Sequence, residues 1–198
     1  MGVKKIDMKK ELDSNQNILL LVPGIDYNDE LIDIVKQLGG SSICYVTLNK
    51  TYKSLQENFK KNKIDIKNII FVDAISKVIK KNPEVGKNSY FVSSPAALTE
   101  MSIAIDKFLN YGFEYLIFDS LDNLLIYQKK SPVIRYVSSI VNKIKNSKTK
   151  AIFYAVSSEK QKDLIKETST FVDKVIDLGE GKTAEKSKVL MGDLNENK

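Results

Sequence analysis

Asp119 is the residue whose position in the sequence points most directly to chemistry. It follows Tyr115-Leu-Ile-Phe118, four apolar residues without polar alternation. Such a run is typical of a strand covered on both faces, as in a parallel sheet between layers of helices. A carboxylate past the end of that strand lies at the sheet edge where open α/β folds bind ligands. With a phosphate-binding loop beside it, Asp119 could hold Mg²⁺ next to bound phosphate groups.

The segment after the first apolar run, residues 23–30, stands where such a loop would have to lie. A phosphate-binding loop reads Gly-x-x-x-x-Gly-Lys-Ser/Thr. Its glycines let backbone N–H groups surround phosphate, its lysine offsets charge and its hydroxyl meets Mg²⁺. Here the segment reads Pro-Gly-Ile-Asp-Tyr-Asn-Asp-Glu, with Gly24 as its single glycine and no lysine, serine or threonine. The sequence therefore predicts that a triphosphate does not bind here in the usual way.

Carboxylates gather at the start of the helix that follows, namely those of Asp26, Asp29 and Glu30. A helix N-terminus normally attracts phosphate, and its attraction for one charge is worth ~0.3–1 kcal/mol. A like-charge contact at ~4 Å costs roughly 1–4 kcal/mol near a protein surface, so three acids would outweigh that attraction. Asp26 and Asp29 are also expected to cap the first turn of this helix with their carboxylates.

The composition excludes several kinds of catalytic and metal site. At 198 residues, of which 42% are hydrophobic, the chain is long enough for one globular domain with a substantial core. The absence of histidine excludes a Ser-His-Asp triad and histidine metal sites, and the single Cys44, expected to be buried, cannot build a zinc site. There is no apolar signal region and no apolar run of the roughly 18 residues that a membrane span needs. A cytoplasmic protein is therefore expected.

The net charge of +6 suggests a nucleic acid or another acidic surface as one partner class. Nearly all the positive charge is lysine spread along the chain, however, and Arg135 is the only arginine. Because arginine is preferred for bidentate phosphate and base contacts, most of this charge is interpreted as solvated surface. The candidate nucleic-acid contacts are the cluster Lys129, Lys130 and Arg135.

Apolar runs alternate with helical patterns along the chain. Strands are predicted at 17–22, 42–48, 68–72, 89–93, 114–119, 151–156 and 171–178. Helices are predicted between 26 and 38 and at 51–62, 94–111, 121–127 and 133–144. Strands separated by amphipathic helices predict a three-layer α/β/α sandwich with a mostly parallel central sheet and right-handed crossovers.

Residues 17–178 are expected to form one domain. Residues 1–16 are predicted to be an arm or a short helix, residues 76–88 a connector, and residues 158–169 a polar helix or loop. The tail, 179–198, is polar apart from Val189-Leu-Met191, which either pairs back on strand 171–178 as a hairpin or frays.

The order of these pieces resembles the KaiC-like, archaeal-type branch of the RecA-superfamily ATPases. Residues 42–49 resemble the strand that ends in catalytic acids in that family, and residues 98–105 resemble the helix before the Walker B strand. Tyr115-Leu-Ile-Phe-Asp-Ser-Leu121 resembles the Walker B strand itself, and residues 172–178 match a strand near the end of the family's domain. The resemblance covers roughly residues 17–178 and implies a RecA/P-loop NTPase-like fold.

Three features depart from the family's pattern. The Walker A loop is degenerate, and the nucleotide-site positions it would supply are Gly24, Asp26, Tyr27, Asn28, Asp29 and Glu30. The acids expected after the second strand are replaced by Asn49 and Lys50, neither of which can serve as a general base at neutral pH. The segment before the first strand does not resemble the family's Gly/Leu-rich leader. The resemblance and its departures together predict no hydrolysis and no ATP or Mg²⁺ cofactor.

Asp119 is then expected to cap the helix that begins after Ser120 and to satisfy loop N–H groups, with a metal role only if a nucleotide binds. Asp122 is expected to face solvent, and Tyr27 to fill the vacant cleft. The leading hypothesis is a catalytically inactive RecA/KaiC-like domain that binds a protein partner or itself, or regulates one. The alternatives are a nucleic-acid-binding module and a nucleotide sensor that uses a different loop.

Overall fold

The computed structural model describes residues 6–158 and 161–179. Strands in this part of the chain are β1 (Asn17–Val22), β2 (Ile43–Thr47), β3 (Ile69–Asp73), β4 (Ser89–Phe91), β5 (Tyr115–Asp119), β6 (Lys150–Val156) and β7 (Lys174–Asp177). Helices are α1 (Met8–Ser14), α2 (Tyr27–Gln37), α3 (Tyr52–Lys61), α4 (Ser76–Ile79), α5 (Leu98–Asn110), α6 (Leu121–Tyr127), α7 (Lys130–Lys145) and α8 (Lys162–Ser169). The described residues end at position 179, so the rest of the predicted tail, including 189–191, lies outside them.

The described strands form one sheet in the order β4-β3-β2-β5-β6-β1-β7, and every pairing between them is parallel. The predicted α/β fold with a parallel central sheet is therefore confirmed. The strand that ends at Asp119, β5, lies between β2 and β6, so β6 separates it from β1. The carboxyl ends of β1, β2, β5 and β6 consequently meet along one edge of the sheet.

Side chains alternate between the two faces of the sheet along each strand, and helices bury both faces. Ile18 and Leu20 pack with α1, α2 and α3 on one face, whereas Leu19 and Leu21 pack with α5, α6 and α7 on the other. Cys44 is buried on the second face, as predicted. In α1, Asp7 caps the helix through Lys10 N–H, and Met8 and Leu12 enter the core from the segment predicted as an arm or helix.

Several element boundaries differ from the prediction. β7 covers Lys174–Asp177 instead of 171–178, and α7 covers Lys130–Lys145 instead of 133–144. The predicted connector 76–88 begins with the short helix α4, and α5 begins at Leu98 instead of at Ser94-Pro95. Residues 94–97 form a turn closed by a 3.0 Å hydrogen bond from Ala97 N–H to the Ser94 carbonyl. The Glu100 carboxylate of α5 accepts the backbone N–H of Ser93 at 2.9 Å, so it satisfies a donor ahead of the helix.

β4 is a short edge strand of the sheet, and some of its backbone groups make hydrogen bonds outside the sheet. The N–H of Ser89 donates to the Gly86 carbonyl at 3.2 Å, and the ammonium of Lys77 donates to the Phe91 carbonyl at 3.0 Å. Among the described helices, none has the length and apolar character needed to cross a bilayer.

Candidate functional site

Asp119 lies at the carboxyl end of β5 with its side chain fully buried. Its two carboxylate oxygens accept hydrogen bonds from two tyrosine hydroxyls, Oδ1 from Tyr27 and Oδ2 from Tyr45 at 2.6 Å. The N-cap of α6 is Ser120, and no side chain caps that helix. The prediction that Asp119 caps α6 is therefore wrong: its carboxylate turns toward the α2 side of the sheet, where the two hydroxyls lie.

The strand register explains why Tyr45 reaches this carboxylate. Thr47 lies opposite Asp119 in the pairing of β2 with β5, and Tyr45 lies two residues earlier on the same strand. Residues two apart share a face of a sheet, so Tyr45 and Asp119 project toward α2 together. Tyr27, the first residue of α2, reaches the same carboxylate from the helix above.

Tyr154 of β6 completes an aromatic cluster around Asp119. Its ring lies 6.0 Å from that of Tyr27, centroid to centroid, at an angle of 59°. The Tyr154 side chain is fully buried, and within the described part of the chain its hydroxyl has no hydrogen-bond partner. The cluster therefore has one carboxylate but three phenol groups, and only two of these are paired with it.

Burial dominates the electrostatics of this cluster. Loss of solvation raises the pKa of Asp119 above its usual 3.8, while the hydrogen bonds from Tyr27 and Tyr45 oppose that rise. Burial also raises the pKa of Tyr27, Tyr45 and Tyr154, and the neighbouring Asp119 charge adds to each increase. All three phenols therefore remain protonated at neutral pH, and those of Tyr27 and Tyr45 donate to the Asp119 carboxyl group.

The connection from β1 to α2 is short. It comprises residues 23–26, and Asp26 N–H closes it as a turn with a 3.0 Å bond to the Pro23 carbonyl. Gly24 is exposed, and a Cβ on it would meet only Val156, at an ordinary 3.8 Å. Asp26 is the N-cap of α2, but its side chain makes no capping hydrogen bond, so the predicted carboxylate cap is wrong. Asp29 and Glu30 lie in the first turn of α2, as predicted.

Lys50 crosses from the end of β2 to the start of α2. Its ammonium donates a hydrogen bond to the side-chain oxygen of Asn28, and its charge favours the ionised form of Asp119. A tight turn fixes it, because the Thr47 hydroxyl donates to the Lys50 carbonyl at 2.6 Å and accepts the Lys50 N–H at 3.1 Å. Asn49 is exposed beside it. The structure thus brings Tyr27, Asn28 and Lys50 to the end of β5.

A second buried carboxylate, Asp73, lies at the carboxyl end of β3. It accepts the backbone N–H of Tyr52 at 2.6 Å, of Ile75 at 2.7 Å and of Ser76 at 2.8 Å, as well as the Ser76 hydroxyl. It therefore ties the start of α3 to the start of α4. Asp73 is not among the site residues predicted from the sequence; it directly follows the predicted strand 68–72. The signal available was Ser76 three residues on, a spacing typical of a carboxylate that accepts local N–H groups.

Other predicted residues lie elsewhere or have different partners. Asp122 does not simply face solvent: it is half-buried, and its Oδ1 accepts the backbone N–H of Val156 at 3.1 Å, tying α6 to β6. Lys130 faces two carboxylates, those of Asp163 at 3.3 Å and Glu167 at 3.2 Å.

Lys129 and Arg135, the other two candidate nucleic-acid contacts, are both exposed. Arg135 donates to the Ser131 hydroxyl at 3.0 Å and borders a cavity of about 620 Å³ along α7. Lys130 lies between them in sequence, and its salt bridges fasten α7 to α8. Of the three cations predicted to act together, Lys130 therefore already forms salt bridges within the domain.

The fold is that of the RecA/KaiC-like P-loop ATPases. A KaiC-like protein of the archaeon Pyrococcus horikoshii OT3 superposes with a TM-score of 0.57 at 12% identity, over 83% of this chain and 72% of that one. An ATPase of the type III secretion system of pathogenic bacteria superposes with a TM-score of 0.54 at 13% identity, over 86% of this chain. The chain spans about half, 53%, of that ATPase. No family model and no curated protein sequence matches.

Proposed function

We propose that this chain is a catalytically inactive RecA/KaiC-like domain that acts as a protein-binding or regulatory module. The observation that carries the proposal is the pairing of both Asp119 oxygens with tyrosine hydroxyls. Mg²⁺ is held in such folds through a carboxylate together with phosphate oxygens and water. At Asp119 the carboxylate faces two phenol O–H groups, so a metal would have to displace Tyr27 or Tyr45.

The start of α2 supports the same proposal. A phosphate loop encloses a triphosphate with a stretch of backbone N–H groups and a lysine from the loop itself. Here the connection is four residues long, 23–26, and the next side chain, Tyr27, is buried against Asp119. The cation at this place, Lys50, comes from another strand end and binds Asn28. The acids of the first turn of α2 add repulsion toward a triphosphate.

The direct test is isothermal titration of the full chain with ATP and Mg²⁺, together with an assay of phosphate release. We expect no binding heat up to millimolar ATP and no phosphate above the level of a protein-free sample. A dissociation constant in the micromolar range, or turnover that Asp119→Asn abolishes, would contradict the proposal.

A thermal-shift screen over nucleotides and cyclic dinucleotides tests the alternative of a sensor with a different loop. A ligand at 100 times its dissociation constant adds about 2.7 kcal/mol to stability, a shift that such a screen detects readily. We expect no nucleotide to raise the melting temperature. A ligand whose shift disappears in Tyr27→Ala would instead assign a sensor role to this end of the sheet.

A further inference from the structure

Tyr154 carries a hydroxyl that the packing of the core does not require. Its side chain is fully buried, and within the described residues the hydroxyl has no hydrogen-bond partner. A phenylalanine would fill the same space without the free-energy cost of burying an unpaired polar group. A buried polar atom without a partner calls for an explanation, and a second state of the domain in which this hydroxyl is paired would supply one.

Strand pairing places Tyr154 beside Asp119. Phe118 of β5 pairs with Phe153 of β6, so the residues that follow them, Asp119 and Tyr154, are neighbours on adjacent strands. Phe118 and Phe153 pack on the α5–α7 face of the sheet, so the next residues project toward the α2 face, where Tyr154 lies. The Asp119 charge also contributes to the raised pKa of Tyr154. The sheet itself therefore brings a third phenol next to the carboxyl group.

Tyr27 lies against Tyr154, and it occupies the oxygen of Asp119 that is relevant here. The two rings are 6.0 Å apart, centroid to centroid, and Tyr27 donates to Oδ1. Tyr45 donates to the other oxygen, Oδ2, from β2, which lies on the opposite side of β5 from β6. Oδ1 is therefore the oxygen to which Tyr154 could donate if Tyr27 moved away.

The first turn of α2 is mostly exposed apart from Tyr27, which is only 6% exposed. The exposed residues around it are Gly24, Ile25, Asn28 and Asp29. The rest of α2 has its own anchors in the core, such as the fully buried Leu31 and Val35. Departure of the first turn from the sheet would thus remove the Tyr27 ring and its hydrogen bond from the interior while the later turns of α2 stay in place.

We propose that Tyr154 is a reserve donor: when Tyr27 swings out with the first turn of α2, the Tyr154 hydroxyl takes its place at Oδ1 of Asp119. The exchange gives the start of α2 a held state and a released state, and it keeps the buried carboxyl group paired in both. Release without a replacement would leave a buried acceptor unpaired, which is the costly way to lose a hydrogen bond. The inference rests on the proposed function, to which it adds a conformational step through which a regulatory module could respond to a partner.

The first test combines Tyr154→Phe with Tyr27→Ala and follows unfolding in urea. In the wild type, Tyr154→Phe should leave the unfolding equilibrium constant unchanged or lower it, because an unpaired hydroxyl is removed. In the Tyr27→Ala background the same change should raise that constant about tenfold, because Asp119 then loses its replacement donor. Tyr45→Phe is the matched control background: it vacates Oδ2, on the β2 side, so Tyr154→Phe should not destabilise it. Equal effects of Tyr154→Phe in all three backgrounds would overturn the proposal.

Hydrogen exchange of the full chain tests the released state with Tyr27 in place, so it remains decisive even if Tyr27→Ala does not fold. The amides of Asp29 and Glu30 report on the first turn, since both donate to the Asp26 carbonyl at 3.1 Å. Tyr154→Phe should slow their exchange about tenfold, because the released state loses its donor. Exchange at Leu38, at the other end of α2, should keep its rate. An unchanged rate at Asp29 and Glu30, or equal slowing at Leu38, would contradict the proposal.

A crystal structure of Tyr27→Ala gives the direct observation. The hydroxyl oxygen of Tyr154 should lie within about 3 Å of Oδ1 of Asp119. A water at Oδ1, with Tyr154 in its wild-type position, would reject the exchange. Titration with ATP and Mg²⁺ separates the two proposals: ATP binding would reject inactivity without altering the coupling between Tyr27 and Tyr154, whereas additive effects of these two residues would reject the exchange and leave inactivity standing.

Discussion

The hydroxyl of Tyr45 donates a 2.6 Å hydrogen bond to Oδ2 of Asp119, so a phenol on β2 satisfies one oxygen of the carboxyl group that ends the neighbouring strand. Both groups are fully buried. Because the buried carboxyl group has lost its contact with water, this bond offsets part of the cost of that desolvation.

Tyr45→Phe should therefore lower the free energy of unfolding by about 1–3 kcal/mol, since it leaves one oxygen of a buried acceptor unpaired. Tyr154→Phe is the matched control: its hydroxyl is equally buried but has no partner in the described chain. That change should alter stability by no more than about 1 kcal/mol, in the stabilising direction, because an unpaired buried polar group is removed. Urea denaturation of both variants measures the difference; equal losses would contradict it.

Asp119→Asn should change the pH dependence of stability. The folded pKa of Asp119 is raised above 3.8, first by burial, so the folded chain favours the protonated carboxyl. The contribution of this group to stability is complete below pH 3.8 and is lost as pH rises through the folded pKa. The stability of the wild type relative to Asp119→Asn should consequently fall from about pH 4 upward and then level off. Urea titrations from pH 3.5 to 8 test this; a difference that rises with pH would refute it.

Asp73→Asn should destabilise the fold strongly. Asp73 and Asp119 both align with Thr47 on the strand between them, but Asp73 has its own set of hydrogen-bond partners. One amide oxygen can still accept from Ile75 and Ser76, but the amide nitrogen then faces the N–H of Tyr52. A buried donor without an acceptor costs about 1–3 kcal/mol. Asp65→Asn is the control, because its pair with Lys67 is mostly solvent-exposed and should cost under about 0.5 kcal/mol. Thermal melts compare the two; similar melting temperatures would contradict the role given to Asp73.

Gly86→Ala and Gly24→Ala should differ sharply. A Cβ at Gly86 would lie 2.6 Å from Cζ of Tyr52, whereas one at Gly24 meets Val156 at 3.8 Å. The Tyr52 ring packs against Phe71, with centroids 5.3 Å apart, so displacing it disturbs the core. We expect a loss of about 1–3 kcal/mol for Gly86→Ala and a change within about 0.5 kcal/mol for Gly24→Ala. Chemical denaturation decides between these values. An equal cost at Gly24 would mean that the 23–26 turn is tighter than described.

Much of the scaffold could be predicted because its signals are local. β1 and α6 have the bounds expected from the sequence, since a turn follows the apolar run of β1 and a serine precedes α6. The position of Asp119 at the carboxyl edge followed in the same way. α4 was missed because four residues, three of them exposed, are too few to show a helical period.

The partners of Asp119 could not be predicted, because they depend on strand order and register. Tyr45 lies inside an apolar run and looks like any core aromatic residue. Its hydroxyl matters only because β2 neighbours β5 and Thr47 aligns with Asp119. For the same reason the Asp122 contact with β6 was invisible: Val156 is 34 residues away, on a strand whose place in the sheet no local pattern states.

The hydrogen bond from Lys77 to the Phe91 carbonyl has a consequence for self-association. Edge strands expose unpaired backbone N–H and C=O groups with which strands of other chains can pair. Natural proteins reduce this pairing by keeping edge strands short and by placing lysines on them. β4 is three residues long, its Ser89 N–H is held by Gly86, and a lysine covers its last carbonyl. Strand addition along β4, and fibril growth by that route, is therefore disfavoured.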